Sequence, residues 1–116
     1  MQLAVRHNET MTDSSIPSVT VADLPDPLPA ELVVLDVREP DEWSSGHVSG
    51  ATHIPLGTLP DRVGELDPQT PTVVMCHLGG RSARATAWLS QQGYHVVNLE
   101  GGIEAWHAAG RPVTTA

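Results

Sequence analysis

The stretch TVVMCHLGGRSARATAWLSQQG, residues 72–93, contains three patterns that together predict a fold. It begins with an apolar run rich in β-branched residues, Thr72–Cys76, which is typical of a buried strand. Two glycines and polar residues follow and indicate a loop. The alanine-rich remainder predicts a helix that ends at Gly93. A strand, a loop and a helix in this order form one unit of an α/β sheet.

Two further apolar runs have the same character, LVVLDV at residues 32–37 and HVVNL at residues 95–99. Because these runs are continuous rather than alternating, they favour strands buried on both faces of a parallel sheet. Helices are predicted between and after them at PDEWSS, at LGTLPDRVGEL with an interruption at Pro60, and at GIEAWHAAG. Strands that alternate with helices predict an open α/β sheet.

The chain of 116 residues is long enough for one domain. Residues 1–16 are polar and lack periodicity, so we expect a flexible N-terminal tail followed by a domain over residues 17–116. Fourteen acidic residues stand against six arginines and no lysine, and the net charge of -8 disfavours nucleic-acid binding. No apolar stretch has the length of a membrane span. One cysteine forms no internal disulfide, which is compatible with a cytoplasmic location.

The lone cysteine, Cys76, follows directly from a predicted strand. In open parallel sheets, sites form beyond the carboxyl ends of the strands. The other two runs also end in ionisable residues or glycines, with Asp36 and Arg38 after the first and Gly101-Gly102 after the last. The sequence therefore predicts one functional edge that contains the cysteine.

The residues after Cys76 are predicted to form an anion-binding loop, which consists of His77, Leu78, Gly79, Gly80, Arg81 and Ser82. The two glycines permit a tight curl, and a curl that leads into a helix turns successive N–H groups inward. These N–H groups, the positive end of the helix and Arg81 all favour a thiolate. We therefore interpret Cys76 as a nucleophile beside a seat for a second, anionic sulfur.

Three ordered motifs resemble those of single-domain rhodaneses, which are sulfurtransferases: DVREPDEWSSGHVSGATHIP at residues 36–55, CHLGGRS at residues 76–82 and LEGGIEAWHAAGRPV at residues 99–113. The resemblance implies a five-stranded parallel sheet with helices on both faces. It also implies that Cys76 carries a persulfide, that the amides of residues 77–82 hold its terminal sulfur, and that Arg81 orients the sulfonate of a donor. No cofactor or metal is implied.

The resemblance further implies a small sulfur donor, either thiosulfate or a persulfide. The acceptor would be cyanide, a thiol or a partner protein. His77 and Leu78 occupy positions where some thiosulfate-using members carry arginine or lysine, so both classes of donor stay open.

Two other functions are compatible with parts of the pattern. Phosphatases and arsenate reductases of the Cdc25-like group have five residues between the cysteine and the arginine, whereas CHLGGR has four. A rhodanese-like module that only binds a partner is the second alternative, although such modules commonly lack the cysteine.

Several neighbouring residues are interpreted as structural. Asp36 and Arg38 are expected to support the site by pairing with each other or with Glu42. His47 and His53 are interpreted as turn and packing residues rather than metal ligands, since no cysteine or carboxylate ligand lies near them in the sequence. Gly101 and Gly102 are expected to form a tight turn beside the loop, and the tryptophans to pack in the core.

Overall fold

The computed structural model describes residues 16–116 and contains a five-stranded parallel sheet with the strand order β1-β5-β4-β2-β3. The strands are β1 (Ser18–Val19), β2 (Val33–Asp36), β3 (Thr52–His53), β4 (Thr72–Met75) and β5 (Val96–Leu99). The helices are α1 (Pro40–Ser45), α2 (Leu59–Arg62), α3 (Gly80–Gln91) and α4 (Gly102–Ala108). The predicted open α/β sheet is therefore confirmed.

Strand alternation divides the core into two apolar layers. In β4 and just beyond it, Val73 and Met75 face one layer, whereas Val74 and Cys76 face the other. The first layer includes residues of α4, and the second includes residues of α2 and α3. Every residue of β4 and β5 is buried, as their continuous apolar sequence predicts. Helices on both faces of the sheet are thereby confirmed.

The long helix α3 follows the sequence prediction closely. It begins directly after Gly79, which has a φ of 113°, and Gly93 with a φ of 90° follows its last turn. Its buried Ala85 and Leu89 pack against the sheet. Burial of a leucine side chain contributes about 1.5–3 kcal/mol, so this face holds the helix, and the loop before it, in position.

The segment at residues 56–66 differs from its prediction. It consists of a 3-10 turn at Leu56–Thr58, the short helix α2 and another 3-10 turn at Val63–Glu65. Pro60 does not interrupt a helix but lies in the first turn of α2. A first-turn N–H has no intrahelical partner, so proline loses nothing there.

Strand β3 corrects the interpretation of His53 as a turn residue. This strand has two half-exposed residues at the sheet edge, which is too short to leave an apolar run in the sequence. The packing role of both histidines is confirmed, because Trp43 stacks on His47 and His53 at centroid distances of 3.6 Å and 4.6 Å.

The predicted tail, residues 1–16, lies outside the described residues except for Ile16. Within residues 16–116, no helix has the length and apolar character needed to cross a membrane. The same part of the chain contains no cluster of three or more potential metal ligands.

Candidate active site

The central strands bring the predicted site residues to one edge of the sheet. Strand β4 lies between β2 and β5, and Cys76 follows it directly. Asp36 ends β2 on one side of Cys76, and the Gly101-Gly102 turn follows β5 on the other. The structure therefore places these residues at one edge of the sheet, as the sequence predicted.

The sulfur of Cys76 lies beneath the loop that follows it. The residue is only 1% exposed, yet polar hydrogens surround its sulfur. The N–H of Gly79 donates to Cys76 Sγ at 3.1 Å, and the hydroxyl of Ser82 lies 3.4 Å from the same sulfur. Because little water reaches the sulfur, these hydrogen bonds are stronger than they would be in solvent.

Two opposing effects set the pKa of the Cys76 thiol. Burial raises this pKa, but hydrogen bonds from the Ser82 hydroxyl and from the backbone N–H groups of Ser82, Gly79 and Leu78 lower it. The hydrogen bonds prevail, so the pKa lies below the ordinary value of a cysteine. A thiol in this loop is a better nucleophile at neutral pH than a cysteine in an apolar core.

The turn after β5 fixes the backbone of the loop. The N–H of Ile103 donates to the carbonyl of Cys76 at 2.9 Å, and the N–H of Glu104 donates to that of His77 at 3.2 Å. The approach is so close that a Cβ on Gly102, whose φ is 57°, would lie 2.5 Å from the carbonyl oxygen of His77. The expectation of a tight turn beside the loop is confirmed. These bonds occupy the carbonyls and leave the following N–H groups to face the sulfur.

Asp36 and Arg38 form a buried pair beside the loop, as expected. Arg38 Nη2 lies 2.8 Å from Asp36 Oδ2, and the two side chains are 5% and 0% exposed. Arg38 also donates to the carbonyls of Glu42, in the first turn of α1, and of Gly46, directly after α1. The pair therefore ties the end of β2 to α1.

Arg81 is bound by a carboxylate rather than left open toward a substrate. Its Nη1 and Nη2 donate to Glu42 Oε1 and Oε2 at 2.6 Å and 2.8 Å. The hydrogen bond from Arg81 is the main cause that lowers the pKa of Glu42 to about 2. Glu42 thus contacts Arg81 through its carboxylate and Arg38 through its backbone carbonyl, so of the two pairings that the sequence left open for Arg38, the one with Asp36 is present.

The outer surface of the loop is open to solvent. Leu78 is 66% exposed. The side chain of His77 is 46% exposed and lies 3.4 Å from Glu104 Oε1. His77, Glu42 and Glu104 line a cleft of about 300 Å³ that also reaches His107 and Val113. Cys76 itself does not line this cleft, but its neighbour in the sequence, His77, does.

Sequence reasoning missed two contacts at the site. It included Ser82 for its backbone only, although a hydroxyl in the first helical turn can reach back to the residue before the loop. It also missed the contact between Glu42 and Arg81, which are 39 positions apart. A glutamate on the helix after β2 lies at the same edge of the sheet, and this was the available signal.

The fold and the site define a class of protein. It is an α/β domain in which a cysteine with a lowered thiol pKa lies in the loop between a central strand and the following helix. The chain belongs to the rhodanese-like domain family, whose model matches residues 20–109. This result confirms the resemblance found in the sequence motifs.

Curated relatives and a solved structure agree with this assignment. The chain is 38% identical to the thiosulfate sulfurtransferase GlpE of Pseudomonas entomophila over 66% of its length and 71% of the relative. It is 38% identical to a sulfurtransferase of Allochromatium vinosum over 87% of its length and 91% of that protein. The crystal structure of a rhodanese-related protein from Thermoplasma volcanium is 37% identical, with a TM-score of 0.80 over 85% of this chain and 98% of that one.

Proposed function

We propose that the protein is a sulfurtransferase that carries sulfur as a persulfide on Cys76. The observation that carries this proposal is the convergence of N–H groups and the Ser82 hydroxyl on the Cys76 sulfur. This arrangement stabilises a negative charge on sulfur, which both the attacking thiolate and the persulfide possess. Residues 77–82 form the binding loop in this proposal, and Asp36 and Arg38 support it.

In the first half-reaction, the Cys76 thiolate attacks the outer sulfur of a donor. With thiosulfate, a new S–S bond forms at Cys76 while the S–S bond of the donor breaks. The electron pair of the broken bond leaves with sulfite. The negative charge then lies on the terminal sulfur of the persulfide, where N–H groups of the loop can stabilise it.

In the second half-reaction, an acceptor removes that terminal sulfur. A thiolate attacks it, the Cys76–S bond breaks, and the electron pair returns to Cys76 as a thiolate. Cyanide reacts in the same way and leaves as thiocyanate. With either acceptor, no proton donor is needed when the Cys76–S bond breaks, because the loop stabilises the Cys76 thiolate that is released.

Two classes of donor are compatible with this mechanism. GlpE, a relative, is named a thiosulfate sulfurtransferase, which supports thiosulfate. An organic persulfide is the other donor, and a thiol or a protein thiol is the acceptor that would operate in the cytoplasm. The cytoplasmic location is part of the proposal, and the lone cysteine is compatible with it.

The geometry of the loop supports sulfur transfer over phosphate hydrolysis. Phosphate chemistry requires an arginine that is free to bind the equatorial oxygens, whereas Arg81 is bound by both oxygens of Glu42. Hydrolysis of an aryl phosphate should therefore stay at background. Robust hydrolysis that depends on Cys76 would reverse this ranking.

The experiment that tests the proposal is a sulfur-transfer assay with thiosulfate or glutathione persulfide as donor and cyanide as acceptor. The wild type and Ser90→Ala, a change at an exposed position of α3, should form thiocyanate. Cys76→Ser should form none while its circular dichroism and melting temperature stay close to those of the wild type. Turnover by a folded Cys76→Ser variant would refute the role of this residue.

A further inference from the structure

The charge of Arg81 is already balanced before any substrate arrives. Arg81 makes its two hydrogen bonds to Glu42 with short distances of 2.6 Å and 2.8 Å, and the two side chains are only 34% and 26% exposed. Bidentate geometry is the strongest form of a contact between arginine and a carboxylate. Arg81 therefore brings little net positive charge to the loop.

The other arginine at this edge is equally occupied. Arg38 is 4% exposed and contacts Asp36 together with two backbone carbonyls. Its charge is thus buried and balanced. In the described part of the site, neither arginine is left without a carboxylate partner.

The remaining charges around the loop are negative. Glu104 lines the cleft beside His77, and Glu39 lies close enough to Arg81 to interact with its charge. The Cys76 thiolate adds another negative charge. A dianion such as thiosulfate approaches against these charges, and the groups that attract it at the sulfur are the backbone N–H groups, the Ser82 hydroxyl and an Arg81 that Glu42 already neutralises.

We propose that Glu42, by holding Arg81, makes this site select sulfur compounds with an uncharged or cationic body over anionic ones such as thiosulfate. This inference rests on the proposed sulfurtransferase function and names its substrate class. The body of such a substrate, an organic persulfide or thiol, would lie in the cleft beside His77 and Glu104. Glu42 is a positioning residue here, since it acts through Arg81.

Loading of Cys76 by thiosulfate tests the role of Glu42. Glu42→Gln removes the negative charge but keeps a side-chain oxygen that can accept hydrogen bonds. In the wild type, Glu42 Oε1 accepts from Arg81 and, at 2.9 Å, from the N–H of Glu39. We expect the second-order rate of persulfide formation from thiosulfate to rise about fivefold. The matched control is Glu65→Gln, which breaks a surface pair with Arg62 outside the cleft and should leave the rate unchanged.

A double-mutant cycle separates this proposal from a simpler role. If Arg81 bound the donor and Glu42 merely oriented it, Glu42→Gln would slow loading by thiosulfate. We expect instead that Glu42→Gln accelerates it, that Arg81→Met slows it, and that the double variant lies between the two single variants. A slower rate in Glu42→Gln overturns the proposal.

A series of acceptors of equal length gives a second measurement that uses the wild type. Cysteamine, 2-mercaptoethanol and 2-mercaptoethanesulfonate share a two-carbon spacer and differ in charge. After correction for the measured thiolate fraction, discharge of the loaded enzyme should be fastest with cysteamine and slowest with the sulfonate, with a spread of about tenfold at low salt. Added salt and the Glu42→Gln change should each compress this spread.

The possible failures are distinguishable. If no donor loads sulfur onto wild-type Cys76, the proposed function itself is wrong. If Cys76 loads normally but the rates do not depend on acceptor charge, salt or Glu42, sulfur transfer stands and the charge selection by Glu42 is refuted.

Discussion

The inner and outer sides of the Cys76 loop differ sharply in burial and in bonding. The inner side consists of Cys76, the Ser82 side chain and the loop backbone that contacts Gly102. Cys76, Ser82 and Gly102 are all buried. The outer side consists of the side chains of His77, Leu78 and Arg81, which are exposed or half-exposed. The seven residues 76–82 that follow β4 thus have both a buried inner side and an exposed outer side.

This difference separates chemistry from selection. On the inner side, a substitution changes either the backbone that directs N–H groups to the Cys76 sulfur or the groups that stabilise the negative charge on this sulfur. On the outer side, an altered side chain changes what approaches the sulfur and leaves in place the N–H groups and the hydroxyl that contact the sulfur. Variants on the two sides should therefore differ in stability, in the thiol pKa and in substrate preference.

The largest effect is expected on the inner side, for Gly102→Ala. The new Cβ would lie 2.4 Å from the carbonyl oxygen of Cys76, and the φ of 57° is unfavourable for alanine. We expect the free energy of unfolding in urea to fall by about 2–4 kcal/mol. The matched control is Gly64→Ala, where a Cβ meets nothing within 4 Å. Equal stabilities of the two variants would show that the close approach is unimportant.

A smaller effect is expected for Ser82→Ala, which removes the hydroxyl 3.4 Å from the Cys76 sulfur. Loss of the hydrogen bond should destabilise the protein by about 1 kcal/mol. The pKa of the Cys76 thiol should rise, because the hydroxyl favours the thiolate. The ultraviolet absorbance of the thiolate, followed against pH with Cys76→Ser as the blank, measures the change. Ser90→Ala should leave that titration unaltered, and an unaltered titration in Ser82→Ala would contradict this account.

A still smaller effect on stability is expected for Arg81→Met on the outer side. The pair with Glu42 is 34% and 26% exposed, so solvent screens it, and its loss should cost less than about 1 kcal/mol at neutral pH. The folded-state pKa of Glu42 is about 2, below its ordinary value of 4.5, so the pair contributes above pH 4.5. Its contribution should disappear as the pH falls from 4.5 toward 2. Urea unfolding of both proteins across this range tests the sign, and a difference that grows in acid would contradict it.

The smallest effect is expected for Leu78→Ser. This side chain is 66% exposed, and only the backbone N–H of Leu78 acts on the sulfur. The free energy of unfolding should change by less than about 0.5 kcal/mol, and the thiol pKa should stay at the wild-type value. A rise in the thiol pKa as large as that in Ser82→Ala would erase the distinction between the two sides of the loop.

The sequence was most informative where local patterns coincide with burial. The apolar runs that became β2, β4 and β5 are buried on both faces, so their composition alone indicated a parallel sheet. Gly93 marked the end of α3 because its positive φ suits glycine, whereas the helix begins at Gly80, two residues before its predicted start at Ser82. The position of Cys76 between a strand and a helix then followed from the chain order.

The parts that were missed depend on tertiary contacts. Strand β3 is too short for a pattern, and its pairing with β2 defines it. The choice of Glu42 between Arg38 and Arg81 depends on the direction in which α1 leaves the sheet. That direction is fixed by partly buried hydrogen bonds from Arg38 to the carbonyls of Glu42 and Gly46, and no sequence spacing encodes it.

Mass spectrometry of the intact protein and of its Cys76 peptide is the most direct test of the central claim. After treatment with thiosulfate or glutathione persulfide, the account predicts a gain of one sulfur atom that maps to Cys76 and disappears when cyanide or a thiol is added. A wild-type protein that gains no sulfur from either donor, or gains it at another residue, would contradict the claim.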